Sequence, residues 1–200
     1  MYPDDAHEQA LMAQGCTAVA GVDEAGRGCL AGPVVAAAVI LGPWRHPRIN
    51  DSKKLTPKMR EFLHDQIMQH AQAVSLGMVA QDEIDRINIL EASRLAMKLA
   101  VEGLASEPDA LLLDAMRIDH PARQTALIHG DALSVSIAAA SIIAKVTRDR
   151  LMPQLDTECP GYGFSLHKGY GTKVHLEALA RLGPCKYHRK TFTPVRNHLQ

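Results

Sequence analysis

The sequence predicts an α/β fold: a mixed five-stranded sheet flanked by helices, with a helical C-terminal extension. Three observations predict it. β-branched and alanine-rich runs bounded by Gly-Pro pairs alternate with segments of helical periodicity. Their order reads β-β-β-α-β-β-α. The last fifty residues then change character, becoming richer in Gly, Pro, His and charge.

Thr17 to Asp23 reads as a strand that ends at a charged turn. Val34 to Leu41 is a continuous apolar run between Gly32-Pro33 and Gly42-Pro43, hence a buried strand. Thr56 and Pro57 form an N-cap and first helical position, opening a helix to about Ala71. Ala73 to Val79 is a third strand, and three strands with short links suggest an antiparallel meander. Gln81 to Gly103 is helical with a break at Asn88. Ala110 to Asp114 is an apolar strand ending in a carboxylate, and Thr125 to Ile128 is a fifth, short strand. Ser134 to about Arg150 carries Val135, Ala138, Ala139, Ile142 and Val146 on one helical face. Lys173 to Leu182 is the last clear helix, stopped by Gly183-Pro184. All of 1–200 is read as a single domain. An α/β core covers about 1–150, and a basic, aromatic part suited to substrate binding covers about 151–200.

Composition excludes several classes. With 46% hydrophobic and 22% charged residues, the 200-residue chain supports a real core and is not disordered as a whole. Four cysteines with no C-x-x-C pair exclude a disulfide mini-protein and give a zinc knuckle no support. Free thiols in a reducing compartment are expected. Asp4, Asp5 and Glu8 give the N-terminus the wrong charge for a secretory leader. The longest uncharged stretch, Gly28 to Trp44, is too short and too broken by Gly and Pro to span a bilayer. A soluble, cytoplasmic monomer is expected.

Charge is informative once it is divided. The 22 basic and 22 acidic residues balance overall, but Lys145 to Gln200 holds ten basic and four acidic residues. Five of the eight aromatics also fall there: Tyr162, Phe164, Tyr170, Tyr187 and Phe192. A basic, aromatic segment on an acidic body points to a polyanion partner held near carboxylates.

Four carboxylates carry the chemistry. Asp23 and Glu24 are adjacent, and neighbours in a strand point to opposite faces, so both serve one site only where the strand stops. Gly26 and Gly28 permit such a turn, and Arg27 adds positive charge. Asp114 ends a strand so apolar that it needs a cation or donor; otherwise it is a turn or cap residue. Asp131 precedes a helix and reads equally as an N-cap. If the four converge, a patch of like charges with hard oxygen donors suits two Mg²⁺ or Mn²⁺ ions, the machinery of phosphodiester cleavage. Lys53 and Lys54, in the loop from Asp51 to Leu55, are either phosphate contacts or solvated. Lys145 lies on the helix after Asp131. Lys168 flanks Tyr170 in a glycine-bearing loop where an exposed ring can stack on a base or sugar. None of the ten histidines has ligand spacing.

These segments resemble the type 2 ribonucleases H, the family of bacterial ribonuclease HII. The resemblance runs from about Ala20 to Val195. It rests on the order of Val22-Asp23-Glu24-Ala25-Gly26-Arg27-Gly28, Asp51-Ser52-Lys53-Lys54-Leu55, Leu113-Asp114, Gly130-Asp131, Ile137 to Asp149 and His167-Lys168-Gly169-Tyr170. His188 to Phe192 extends it. It implies a ribonuclease H-like sheet whose first three strands are antiparallel. It implies that Asp23, Glu24, Asp114 and Asp131 are catalytic and bind two Mg²⁺ or Mn²⁺ ions. Gly26, Arg27 and Gly28 match a loop that reads the ribonucleotide 2′-hydroxyl, and Tyr170 a tyrosine that packs on the sugar beyond the RNA–DNA junction. The implied substrates are RNA–DNA hybrids and DNA duplexes containing ribonucleotides, nicked on the 5′ side to leave 5′-phosphate and 3′-hydroxyl ends. Cys29 departs from the pattern, standing where many relatives carry proline. Two other readings stay open on the residues alone: a non-catalytic nucleic-acid-binding module, and a DNA junction nuclease of the same fold.

Overall fold

A computed structural model describes residues 2–199. Its sheet has the order β3-β2-β1-β4-β5. The strands are β1 (Val19–Ala25), β2 (Val34–Ile40), β3 (Ala73–Val79), β4 (Ala110–Asp114) and β5 (Arg123–Leu127). β1, β2 and β3 pair antiparallel, whereas β1–β4 and β4–β5 pair parallel, so the sheet is mixed. The link from β2 to β3 is not short. It holds a 3₁₀ turn at Ser52–Lys54 and the helix α2 (Pro57–His70) before β3 returns antiparallel.

β2 shows why this sheet is covered on both faces. Val34, Ala36, Ala38 and Ile40 pack in one core with Ala92, Ala96 and Met97 of α4 (Ile89–Glu102). Ala37 and Val39 pack in a second core with Ala138, Ala139 and Ile142 of α5 (Val135–Glu158) and Leu63 and Ile67 of α2. A strand buried on both sides has no polar alternation. The helix α3 (Gln81–Ile87) meets α4 at Asn88, whose φ of 68° makes the break and whose side chain caps α4 by accepting from Leu90 and Glu91 N–H groups.

Two differences from the sequence reading have physical causes. α1 (Ala6–Met12) is too short to show a periodic face, and tertiary contact holds it. Its buried Glu8 accepts hydrogen bonds from the hydroxyls of Ser134 and Ser136 and from Ser136 N. α5 does not end near Arg150 but runs on through Pro153 to Glu158, because its last turns bury Met152 against Ala31, Tyr162 and Phe164. The boundary drawn at about 150 therefore falls inside one helix. The C-terminal part adds α6 (Phe164–His167), α7 (Lys173–Leu182) and α8 (Thr193–Arg196). No helix among the described residues is long and apolar enough to cross a membrane.

A backbone-to-backbone fit joins β1 to the start of α5. A Cβ at Gly21 would lie 2.1 Å from the main-chain carbon of Ser136, where backbone meets backbone and neither yields. Gly21→Ala is expected to destabilise the chain by at least about 3 kcal/mol, read by urea denaturation. A cost under 1 kcal/mol would show that this contact is not a constraint.

Candidate active site

β1 does not stop at its acids. It keeps its antiparallel pairing with β2 through Glu24 and Ala25, while the parallel pairing with β4 ends at Val22 and Leu113. Asp23 and Glu24 thus lie on a stretch of strand open along one side. Alternation still puts Asp23 in the row of Val19 and Gly21 facing α5, and Glu24 in the row of Ala20 and Val22. Both nonetheless line one cleft, because β4 has ended beside them. The cleft encloses about 290 Å³ and is also lined by Gly26, Arg27, Gly28, Lys53, Asp114, Lys145 and Tyr170.

Each acid is held by a specific contact. Asp23 Oδ1 accepts from Glu24 N at 2.7 Å. Asp114 Oδ1 accepts from Gly130 N at 2.7 Å, which ties the end of β4 to the 3₁₀ turn Gly130–Ala132. That turn carries Asp131. Asp131 is not the N-cap of α5; Ser134 is, its hydroxyl accepting from Ile137 N at 3.2 Å. Asp131 is instead buried and accepts from Lys53 Nζ at 2.9 Å. Glu24 Oε1 faces Arg27 Nη1 at 3.4 Å, and Glu24 Oε2 is buried with no partner.

The electrostatics follow from this crowding. Burial first, then the charges of Glu24 and Asp114, push Asp23 well above the usual carboxylate range. Burial raises Glu24 to about 7, with Arg27 opposing and Asp114 adding to the rise. Asp114 is raised by burial, with the Gly130 hydrogen bond opposing and Asp131 adding. Partial burial opposes any rise at Lys53, but the hydrogen bond and charge of Asp131 outweigh it, and Lys53 is held above the ordinary lysine range. Among the described residues, no three His, Cys, Asp or Glu side chains are drawn around one point as metal ligands are. The Lys53 ammonium reaches into the acids instead. Three acids raised by burial and by neighbouring carboxylate charge, one of them with an orphaned buried oxygen, and the buried Asp131 beside them form a donor set that fits hard divalent cations.

The other residues singled out in the sequence divide. Gly26 has φ 98°, and a Cβ there would strike Arg148 Nε at 2.1 Å, so only glycine fits. At Gly28 a Cβ would meet nothing, which leaves that face of the loop open to a ligand. Tyr170 is 42% exposed, with Lys145 Nζ 5.5 Å from its ring centre. Lys145 also pairs with Asp149 at 2.7 Å. Lys168 lies outside the acid cleft, in the neighbouring groove it shares with Lys145 and Tyr170. Lys54 is turned to Asp51 at 3.9 Å and does not line the cleft. Cys29 is buried beside Tyr170.

Sequence reasoning gave no role to two arginines that build this site. Arg148 and Arg189 are fully buried and donate only to main-chain carbonyls: Arg148 to Ala31, Pro33 and Lys168, Arg189 to Arg27 and Gly32. No pattern in the sequence separates a buried arginine from an exposed one.

Since Glu24 titrates near 7 folded against 4.5 as a free side chain, the folded chain binds more protons between those values, and stability falls as pH rises through them. Without divalent ions, the stability of Glu24→Gln relative to wild type should therefore grow by about 1–3 kcal/mol between pH 5 and pH 8. Denaturation curves at both pH values measure it; an unchanged difference would show that Glu24 is not a strained carboxylate.

Residues 20–195 match the family model described as Ribonuclease HII. Ribonuclease HII of Cereibacter sphaeroides is 54% identical over 200 residues, 98% of this chain and 94% of that protein. The crystal structure of the ribonuclease H2 from Pyrococcus horikoshii OT3 aligns with a TM-score of 0.74 at 29% identity, over 90% of this chain and 96% of that one. The structure of Bst-RNase HIII in complex with Mn²⁺ shares the fold, with a TM-score of 0.69 at 23% identity over 90% of this chain and 68% of that one. With its mixed sheet and its cleft of acids beside a glycine-rich loop, the chain belongs to the ribonuclease HII family and is an endonuclease of RNA–DNA hybrids.

Proposed function

We propose that Asp23, Glu24, Asp114 and Asp131 are the catalytic set and hold two Mg²⁺ or Mn²⁺ ions, while Gly26, Arg27, Gly28 and Tyr170 select the ribonucleotide. The observation that carries this is the buried, partnerless Oε2 of Glu24 among carboxylates that raise one another's affinity for protons. Such a group is stabilised by cations. The Mn²⁺ bound by Bst-RNase HIII, which shares the fold, supports the choice of ion. When bound, such ions activate water and take up charge on the leaving oxygen.

The chain's own residues do the rest. The open face at Gly28 and the fixed turn at Gly26 bring main-chain groups close to a sugar. The 2′-hydroxyl is the one group that separates RNA from DNA there, and main-chain contacts to it need no particular base. Tyr170 offers a ring to the adjacent sugar. Arg27 and Lys145 place positive charge on the cleft wall, where phosphates pass. Lys53, which lines the cleft and pairs with Asp131, would be a further cation for phosphate. Lys54 and Lys168 stand at the rim. The substrates are RNA–DNA hybrids and DNA duplexes with embedded ribonucleotides, nicked on the 5′ side. All these residues come from one chain, which accords with a monomer, and four free cysteines accord with the cytoplasm.

One substrate set tests the reading. A DNA duplex with a single ribonucleotide is expected to be nicked 5′ to it in Mg²⁺ or Mn²⁺, and an all-DNA duplex left intact. Binding without cutting would make the chain a binding module, and equal cutting of DNA a junction-type nuclease. Asp23→Asn and Asp114→Asn are each expected to lower kcat by at least about a thousandfold with duplex binding retained. Divalent ions are expected to raise the Tm of the wild type at pH 8, and to do so much less in Asp23→Asn. Retained turnover, or an equal shift in Tm, would place the site elsewhere.

A further inference from the structure

Next to Tyr170, three histidines lie buried together. His175 and His188 are sealed from solvent and His167 nearly so. His167 and His175 stack with ring centres 4.4 Å apart, and Phe164 meets both edge-on. Among the described residues no carboxylate bonds to any of the three.

Hydrogen-bond directions settle where each proton sits. Cys185 N donates to His188 Nδ1 at 3.0 Å, so the proton of neutral His188 is on Nε2. That nitrogen faces His175 Nε2 at 3.0 Å and donates to it. His175 therefore keeps its proton on Nδ1, which donates to the Tyr170 carbonyl at 2.9 Å. His167 is fixed in the same way. Its Nδ1 accepts from Gly169 N at 3.2 Å, and its Nε2–H donates to the Tyr162 carbonyl at 2.8 Å. A second proton on His175 or His188 would set two N–H groups against each other. Burial, then the neighbouring His175, lowers His188 to about 4, and burial lowers His175 too, so the relay is neutral.

The path ends on the loop that presents the Tyr170 ring. That loop is left-handed at Lys168 and Gly169, with φ of 55° and 82°, and contacts from outside it add to its own hydrogen bonds in holding it. Arg148 takes the Lys168 carbonyl and Leu30 N the Gly169 carbonyl. His175 and Thr172 N share the carbonyl of Tyr170 itself.

We propose that His188 and His175 form a hydrogen-bond relay of fixed tautomers that sets the position of Tyr170, making His175 a positioning residue for selectivity at the RNA–DNA junction. The inference rests on the reading of Tyr170 as the contact to the junction sugar. It differs from a packing role, because it requires a particular proton on a particular nitrogen.

Two measurements test it. Long-range ¹H–¹⁵N correlation spectra of the wild-type imidazoles near pH 7 are expected to show the His188 proton on Nε2 and the His175 proton on Nδ1. A charged His175, or one protonated on Nε2, overturns the relay, and this needs no variant to fold. The second is the ratio of kcat/KM for a duplex with one ribonucleotide to kcat/KM for a uniform RNA–DNA hybrid. His175→Leu is expected to lower that ratio about tenfold by displacing Tyr170. His175→Asn, whose amide N–H₂ replaces Nδ1–H, should restore most of it, and His175→Leu should add nothing in a Tyr170→Ala background. If Tyr170→Ala leaves the ratio unchanged, the reading of Tyr170 fails. If Tyr170→Ala lowers the ratio but a folded His175→Leu does not, the relay fails.

Discussion

Arg148 and Arg189 direct their guanidinium groups at the carbonyls of one loop, and the geometry of the site hangs on that grip. Between them they occupy the carbonyls of Arg27, Ala31, Gly32 and Pro33, with contacts of 2.8–3.0 Å. Among the described residues, no carboxylate neutralises either group in its hydrogen bonds. Burial lowers the affinity of Arg189 for its proton to about 10, a measure of how unfavourable the position is. Charge-assisted bonds of about 1.5–3 kcal/mol each offset that cost. Lysine would not serve, since an ammonium cannot reach several carbonyls in one plane. The grip has a steric corollary. Arg148 passes so close to Gly26 that no side chain fits there, so the first glycine of the recognition loop is fixed by the arginine behind it.

The acids are a second arrangement that works against stability. Asp114 ends β4 beside Asp23 on the parallel β1, and the hydrogen bond from Gly130 to Asp114 holds the turn that carries Asp131 against that strand end. Burial and neighbouring carboxylate charge raise the proton affinity of Asp23, Glu24 and Asp114, so without cations the folded state carries strain that grows with pH. Lys53 relieves part of it at Asp131. The divalent charge proposed for this site would relieve what the protein alone does not satisfy, as expected where function opposes stability.

Much of this was legible from residues. The five strands, the break at Asn88 and the cap at Thr56 follow from local chemistry that needs no tertiary knowledge. The four acids stand out because carboxylates at the ends of apolar runs are rare and need compensation. What stayed hidden depends on distant partners. α1 exists through Glu8 and two serines more than 120 positions away. The extension of α5 depends on Met152 finding Tyr162 and Phe164. The belief that β1 must stop at Asp23 assumed both neighbours of the strand end together, whereas β4 ends first and β2 continues. Lys53 and Lys54 are adjacent and alike in sequence, yet only a 3₁₀ turn decides that one meets Asp131 and the other Asp51.

α5 joins these arrangements mechanically. Its N-terminus abuts Gly21 one residue pair before Asp23, its middle carries Lys145 and Arg148, and its last turns bury the C-terminal aromatics. The acids, the glycine-rich loop and the Tyr170 loop are therefore referred to one rigid rod. In the proposed reading, the two adjacent sugars that meet Gly28 and Tyr170 are measured against two loops bridged by the same guanidinium, since Arg148 bonds Ala31 on one side and Lys168 on the other. Selection by sugar rather than by base follows from that construction. Main-chain groups and one ring, held at fixed separation, report the shape and hydroxyls of the backbone and carry no donor pattern matched to a base edge.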